Sequence, residues 1–351
     1  MEGISKNISK LLGDKFEILT TFSRSSLRTM SFNILVKKID DDGSETIYCA
    51  RIFSGYCKYG ISQNNSRHIE SFHTYLMTEI ATIENAHFIT DMAPRFICTV
   101  PPNRQEIVLS EDICIIVLVE HIPLSAPINL LDGDKYRNLK ILHQVGNAIL
   151  KLNTEGIFYK TFTSDCISIC PDGSIKLNDI GCKSFEFEVA TGRGFQGDIF
   201  TNECFYDPYR LEESSGQSID AYAFGMCLFI CLFGKYAIFP RLDEIGRAYG
   251  SRNPIPGGLI EEYIENRQRI WDSLSQLAKV LLGGLPDTYP CIESISSPNW
   301  RFTRKIGFVE GTESSGGLLC PNPIIRTSMN NALSLIYRLI TELSEKANVQ
   351  A

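Results

Sequence analysis

The chain has 351 residues, of which 44% are hydrophobic and 21% charged, a composition typical of folded globular proteins. Its length is sufficient for a large core or for two lobes. The net charge of -7 argues against a nucleic-acid partner, because binding to a phosphate backbone needs a dense basic face.

The longest apolar run is Ala221–Gly234, which is shorter than the roughly 20 residues needed to cross a bilayer. It predicts a buried core helix and no transmembrane segment. The first ten residues lack the apolar region of a signal peptide. We therefore expect a cytoplasmic protein or, alternatively, a secreted one whose leader is not part of this sequence. The twelve cysteines form no CxxC pair and show no metal-ligand spacing.

The first third of the chain predicts a five-stranded sheet with one helix after the third strand. The turn Asp40–Gly43 favours a hairpin, because Asp-Gly tolerates positive φ. Spacings of three and four between apolar residues predict an amphipathic helix at Ile69–Ala86. The runs rich in Ile, Val, Phe and Tyr that predict the strands are Phe16–Thr20, Ser31–Ile39, Thr46–Phe53, Arg95–Val100 and Ile113–Glu120.

The remainder of the chain is predicted to be mainly helical. Two short strands, Ile167–Cys170 and Ser174–Leu177, are joined by the turn Pro171–Gly173. A β-rich first third followed by a helical remainder indicates an α+β fold. The predicted helices are Tyr136–Glu155, Ile219–Phe233, Ile260–Leu282 and Ser328–Lys346.

The segment Gly156–Gly181 has the layout of a protein-kinase catalytic loop followed by its metal-binding loop. In kinases a His-Arg-Asp triplet opens the first loop, and an Asn five positions after the Asp binds a metal ion. Asp-Phe-Gly forms the second loop. The residues at these positions here are Tyr159, Lys160 and Thr161 for the triplet, Cys166 for the Asn, and Asp179, Ile180 and Gly181 for the last three.

On these residues the chain resembles the protein-kinase-like superfamily over roughly residues 14–345. The resemblance implies a bilobal fold, with a small β-rich N-lobe at residues 14–122 and a larger α-helical C-lobe at residues 123–351. Residues 1–13 would then form an N-terminal extension.

The resemblance also identifies the positions of a vestigial nucleotide pocket. The glycine-rich loop corresponds to Thr20–Arg28, which contains no glycine. Arg51 stands where kinases carry the phosphate-binding Lys, with Glu79 as its partner, and this ion pair is either structural or a remnant of the nucleotide site. Val119 corresponds to the gatekeeper, and Glu120 begins the hinge.

Two substitutions remove catalytic groups from the implied site. Thr161 has no carboxylate, and general-base assistance typically contributes about 10²–10⁴-fold to the rate. Cys166 is a poor ligand for Mg²⁺, which prefers oxygen. Asp179 is left either as a ligand for one metal ion or as a loop residue that bonds to the backbone.

The resemblance extends to the helical region, where it concerns the fold. Asp220, in the motif Ser218–Gly225, corresponds to an Asp that braces the catalytic loop, and Gly181 is likewise a structural position. Asp207-Pro208-Tyr209 replaces the kinase triplet Ala-Pro-Glu, and Arg301 is the expected relic of the Arg that pairs with that Glu.

The chain resembles one group within the superfamily more closely than it resembles the superfamily in general. The glycine-free loop, the altered triplet and the Phe162-Thr163 step resemble the rhoptry and dense-granule kinase-like proteins of apicomplexan parasites. Several members of that group are pseudokinases that act as secreted binding proteins.

The sequence therefore predicts a pseudokinase that acts as a protein-interaction or allosteric scaffold. Two alternatives stay open: an atypical active Ser/Thr kinase that uses Asp179 and one metal ion, and an ATP-binding sensor without turnover. We expect no cofactor, with binding of ATP and Mg²⁺ weak or absent, and a protein partner. The candidate interaction surfaces are the loops Gly55–Arg67 and Cys182–Cys204.

Overall fold

The computed structural model shows a mixed α+β protein that divides into two compact units. Unit 1 contains Met1–Ala126 and Ser168–Arg193, and unit 2 contains Pro127–Ile167 and Gly194–Ala351. The predicted boundary at residue 122 differs from this division mainly in placing Ser168–Arg193 with the helical region. The structure describes residues 2–20, 31–53, 66–103, 115–122, 126–128, 134–159, 162–178, 180, 216–233, 258–285, 316–320 and 323–350.

Unit 1 is built on an antiparallel sheet of five strands in the order β1-β2-β3-β5-β4. The predicted five strands, with one helix after the third, are confirmed. The elements are α1 (Glu2–Leu12), β1 (Phe16–Ile18), β2 (Ser31–Ile39), β3 (Glu45–Phe53), α2 (Ser66–Ile89), β4 (Phe96–Val100) and β5 (Ile115–Glu120).

The Asp40–Gly43 turn joins β2 to β3 as predicted. Gly43 has φ of 81°, a left-handed conformation that costs glycine little. The Asp40 N–H donates to the Ser44 carbonyl at 2.9 Å, and the Gly43 N–H donates to the Asp40 carbonyl at 2.9 Å. These bonds fix the β2–β3 register, which pairs Asn33 with Arg51.

Helix α1, which lies within the predicted N-terminal extension at residues 1–13, was not predicted. Ile8 and Leu12 are buried in a core cluster with residues of β2, β3 and β5, including Val36 and Ile52. The apolar residues Ile8, Leu11 and Leu12 recur at spacings of three and four, the period of a helix. Only three turns of this pattern are present, which is why it is hard to recognise in the sequence.

Helix α2 packs against the opposite face of the sheet. Leu76, Ile80 and Ile83 of α2 form a second core cluster with Phe53 and with three residues of β5. Alternate residues of a strand point to opposite faces, so consecutive positions of β3 contribute to different cores. Ala50 and Ile52 belong to the α1 side.

Three short strands form a second sheet in the order β6-β7-β8. The predicted hairpin of two short strands is confirmed: the Cys170 N–H donates to the Ser174 carbonyl at 2.8 Å, and Gly173 has φ of 82°. The strands are β6 (Ala126–Pro127), β7 (Ile167–Ile169) and β8 (Ile175–Leu177).

Unit 2 is mainly helical in the part that the structure describes. The prediction of one continuous helix at Ile260–Leu282 is wrong, because Leu274 and Ser275 divide this segment into two helices. The Ser275 hydroxyl accepts from the Ala278 N–H at 3.2 Å and caps the second helix. The helices are α3 (Lys135–Thr154), α4 (Gly216–Phe233), α5 (Leu259–Ser273), α6 (Gln276–Leu282) and α7 (Met329–Gln350).

Helix α4 is the core helix of unit 2. Its length and mean hydropathy of 1.4 alone would permit a membrane span, but 72% of it is buried inside the protein. Helix α3 approaches α4 and α7 closely at Gly146, where a Cβ atom would lie 2.9 Å from a ring carbon of Phe224 and 2.7 Å from Cδ2 of Leu333. Glycine at this position therefore permits the close packing of the three helices.

Candidate functional site

Arg51 is a buried residue in the middle of β3. Its side chain is 7% exposed, and its Nε donates to Oδ1 of Asn33 at 3.2 Å. Asn33 is the residue directly opposite Arg51 on β2. The guanidinium is therefore held along the surface of the sheet by a cross-strand hydrogen bond.

Glu79 lies on the helix that covers this face of the sheet. It is 5% exposed and occupies the same part of α2 as Leu76 and Ile80, which pack against β3 and β5. Cys49 and Phe53, two residues either side of Arg51, belong to the same cluster, so Arg51 faces α2 as well. Arg51 and Glu79 therefore border the same interface between the sheet and α2, and the Arg51–Glu79 ion pair stays a prediction.

Val119 and Glu120 end strand β5. Val119 is 7% exposed and packs in the α2 cluster. Oε2 of Glu120 accepts from the Arg95 N–H at 3.2 Å and lies 3.9 Å from Nζ of Lys176. Lys176 also donates to the Asp91 carbonyl at 3.0 Å. Glu120 is thus tied to the start of β4 and to β8, which makes it a bracing residue of unit 1.

Tyr159, at the position of the kinase His, is a core aromatic residue. It is 1% exposed, and its ring meets the ring of Phe162 edge-on with centroids 5.2 Å apart. Its backbone N–H donates to Oδ2 of Asp220 at 3.0 Å. This aromatic contact and the hydrogen bond fix the start of the loop in unit 2.

Asp220 joins three segments of unit 2. The carboxylate is fully buried on α4, and Oδ2 accepts from Nδ2 of Asn153 at 2.9 Å and from the Tyr159 N–H. Nδ2 of Asn153 also donates to the Ile157 carbonyl at 3.1 Å. Hydrogen bonds of this kind offset the cost of burying a carboxylate. Asp220 therefore fastens the C-terminal end of α3 and the following loop to α4.

Cys166 is buried at the end of a short 3₁₀ turn, Ser164–Cys166. It is 1% exposed, its N–H donates to the Thr163 carbonyl at 3.0 Å, and its Sγ lies 3.7 Å from Oγ1 of Thr163. The thiol therefore packs against its own turn. In this setting a cysteine behaves as a small apolar core residue.

Several predicted site residues lie outside the described part of the chain. In the segment that corresponds to the kinase metal-binding loop, the structure describes Ile180, which is buried. The described residues contain no group of three or more His, Cys, Asp or Glu side chains placed to hold a metal ion. The residues outside are Thr21–Arg28, Lys160, Thr161, Asp179, Gly181, Asp207-Pro208-Tyr209, Arg301 and most of the two candidate interaction loops.

Arg326 is a buried cation that organises unit 2 and that was not predicted as a site residue. It is 8% exposed and donates from Nη2 to the Cys320 carbonyl at 2.8 Å and from Nη1 to the Ser218 carbonyl at 2.9 Å. Its guanidinium carbon lies 5.1 Å from the centre of the Tyr222 ring. Arg326 thereby fastens the segment before α7 to the first turns of α4. The sequence feature that could have indicated a buried cation is an Arg that follows two Ile residues and lies three residues before the start of an apolar helix.

No protein-family model matches the chain. Over 139 residues the chain is 30% identical to a serine/threonine-protein kinase WNK of Caenorhabditis elegans. The match covers 36% of this chain and 7% of the length of that kinase. This similarity supports a protein-kinase-like relationship for part of the chain.

Proposed function

We propose that this chain is a catalytically inactive protein-kinase-like domain that serves as a protein-interaction or allosteric scaffold. The observation that carries the proposal is the state of Cys166. In the kinase pattern its position supplies an oxygen ligand to a metal ion, whereas here a thiol is buried against its own turn. Mg²⁺ prefers oxygen ligands, so this position has lost its metal-binding chemistry.

The contacts of Arg51 support the same proposal. A kinase Lys is a compact point charge on a flexible stem and reaches the phosphates of ATP. Arg51 is longer, is held by Asn33 at 3.2 Å and faces the interface with α2. A guanidinium held in this way stabilises the sheet and the α2 interface without requiring a nucleotide.

The buried polar networks support a scaffold role. Asp220, Arg326 and Glu120 retain hydrogen bonds that organise the fold, while the positions of the general base and the second metal ligand carry Thr161 and Cys166. A fold stabilised in this way can present a binding surface whether or not the chain transfers phosphate.

A phosphoryl-transfer assay tests the proposal. The purified chain is incubated with γ-labelled ATP and either Mg²⁺ or Mn²⁺, with casein, myelin basic protein and the chain itself as acceptors. We expect incorporation equal to that of the Asp179→Ala variant, the matched control. Incorporation that disappears in Asp179→Ala would establish instead the first alternative, an atypical Ser/Thr kinase that uses Asp179 and one metal ion.

The second alternative, an ATP-binding sensor without turnover, has separate support. Asp179-Ile180-Gly181 keeps the acidic and glycine positions of the metal-binding loop, and the match is to a kinase. A ligand that binds the folded state raises its stability by mass action. A thermal-shift titration to millimolar ATP, with and without Mg²⁺ or Mn²⁺, would give no shift for a non-binding scaffold and a saturable shift for a sensor.

The similarity to rhoptry and dense-granule kinase-like proteins supports a secreted binding protein as the finer form of this proposal. A cytoplasmic protein is the other possibility. Immunolocalisation with an antibody raised against the purified chain separates the two: labelling of secretory organelles supports the first, and diffuse cytoplasmic labelling supports the second.

A further inference from the structure

A groove between α3 and α7 has no role in the kinase-like chemistry. It is an open depression on the surface, with a volume of about 490 Å³. The two helices are pinned together beside it where Gly146 meets Leu333, which forms the floor of the groove. Its walls are lined by His143, Asn147, Asn330, Ser334, Tyr337 and Arg338.

The walls of the groove are two rows of polar side chains on rigid helices. His143 and Asn147 are four residues apart on α3, and Asn330, Ser334 and Arg338 follow the same spacing on α7. From Asn330 to Arg338 the helix rises about 12 Å at 1.5 Å per residue. An extended peptide advances about 3.3 Å per residue, so roughly four residues would lie along the groove.

The charge of the groove contrasts with that of the whole protein. The chain has a net charge of -7, yet the described residues that line the groove include no Asp or Glu, and Arg338 is the one permanent charge among them. Burial lowers the pKa of His143 below its usual value, which keeps this ring neutral near pH 7. Among the residues that the structure describes, none forms an ion pair with Arg338.

The remaining groups supply donors, acceptors and an aromatic surface. Asn147 donates to the His143 carbonyl at 2.8 Å, which leaves its own side-chain oxygen as an acceptor for a peptide N–H. Tyr337 is 63% exposed, and its ring centroid lies 6.1 Å from that of His143. Arg338 presents five N–H donors in the fork geometry that suits a carboxylate.

We propose that the groove between α3 and α7 binds a short extended segment of a partner protein that carries an Asp or Glu side chain, with its carboxylate on Arg338. Asn147 and Asn330 bond to the peptide backbone, and an apolar side chain packs over Leu333 and Tyr337. The described lining residues carry the positive charge of Arg338 and no acidic group, which favours an anionic segment over a basic one that would meet Arg338 as a like charge. The proposal does not depend on whether the chain transfers phosphate.

Peptide selection against the full chain tests the groove. A random hexapeptide phage library is selected on the immobilised protein, and the enriched peptides are synthesised with a fluorescein label. We expect Asp or Glu at one fixed position, and we expect the matched Asn or Gln peptide to bind at least about tenfold more weakly in fluorescence anisotropy.

Variants then locate the binding site. Arg338→Glu should lower the affinity for the selected peptide about tenfold or more. Ser334→Trp, which fills the groove without changing its charge, should lower that affinity by a similar factor. Arg137→Glu is the matched charge reversal, at an exposed residue of α3 that does not line the groove, and should retain the wild-type affinity. Peptides without an acidic preference, or equal affinity of wild type and Arg338→Glu, would overturn the proposal.

Discussion

The Asp220 carboxylate accepts two buried hydrogen bonds, from Asn153 and from the Tyr159 backbone, so its removal should be costly. Asp220→Ala leaves both donors without this acceptor, and we expect a loss of about 3 kcal/mol of unfolding free energy. Urea denaturation followed by far-UV circular dichroism measures the loss.

Asp172→Ala provides the control for this substitution. Asp172 is exposed in the β7–β8 turn, where its carboxylate accepts from Ser174. The Ser174 hydrogen bonds hold the pKa of Asp172 below its usual value. The structural assignment of Asp220 would be contradicted if both variants lost the same small amount of stability.

Cys231 should be unreactive in the folded protein. Burial in α4 raises the pKa of its thiol to about 12, and the thiol lies 3.9 Å from the Lys135 carbonyl. Because the thiolate is the nucleophile, alkylation by iodoacetamide at pH 8 should be slow until the protein is unfolded. Peptide mass spectrometry compares Cys231 with the half-buried Cys170.

The same shift predicts a dependence of stability on pH. The folded thiol keeps its proton to higher pH than the unfolded thiol, whose pKa is near 8.5. Its contribution to the unfolding free energy is therefore complete below about pH 8.5 and is lost as the pH rises towards 12. Cys231→Ala should remove this part of the alkaline slope, and an unchanged slope would contradict the burial of the thiol.

Among the helices and strands, α1 is present in the structure but was not predicted from the sequence. Ile8 is fully buried in the core of unit 1. Ile8→Ala should lower the unfolding free energy by about 2–5 kcal/mol, through lost apolar burial and the cavity that remains. Ser9→Ala, on the exposed side of the same helix, should change it by less than about 0.5 kcal/mol.

Thermal and urea unfolding of the two variants provide the measurement. Equal stability of Ile8→Ala and Ser9→Ala would mean that α1 does not pack on the sheet. Removal of residues 1–13 should then also leave unit 1 as stable as before. We expect instead that this truncation exposes the apolar cluster around Val36 and Ile52, which increased binding of the dye ANS would detect.

The sequence predicted most elements because their patterns are long. The nine-residue strands β2 and β3 alternate around a strong Asp-Gly turn, and the apolar period of α3 extends over 20 residues. Short patterns were less informative. The three turns of α1 were missed, and the Ser275 cap was not recognised inside a continuous apolar period.

The candidate site residues were predicted from their positions in motifs that resemble those of kinases. Arg51, Glu79 and Asp220 are charged residues within apolar runs, and all three are buried. Their hydrogen-bond partners, such as Asn33 and Asn153, depend on strand register and helix packing, which a sequence pattern does not specify.

In the molecule as a whole, buried polar networks stabilise an α+β fold, and we propose that the groove between α3 and α7 is a binding surface. The likeness to a WNK kinase supports the kinase-like relationship over part of the chain. Inactivity is our proposal, and we argue it from the burial of Cys166 and from the hydrogen bond between Arg51 and Asn33.

The most direct test is a single-turnover measurement of phosphoryl transfer. The protein is present in molar excess over γ-labelled ATP, with Mn²⁺ or Mg²⁺ added. The amounts of labelled protein and of released phosphate are followed for several hours. We predict rates equal to those of Asp179→Ala and of buffer alone. Transfer or hydrolysis by the wild-type chain that exceeds both controls would contradict the account.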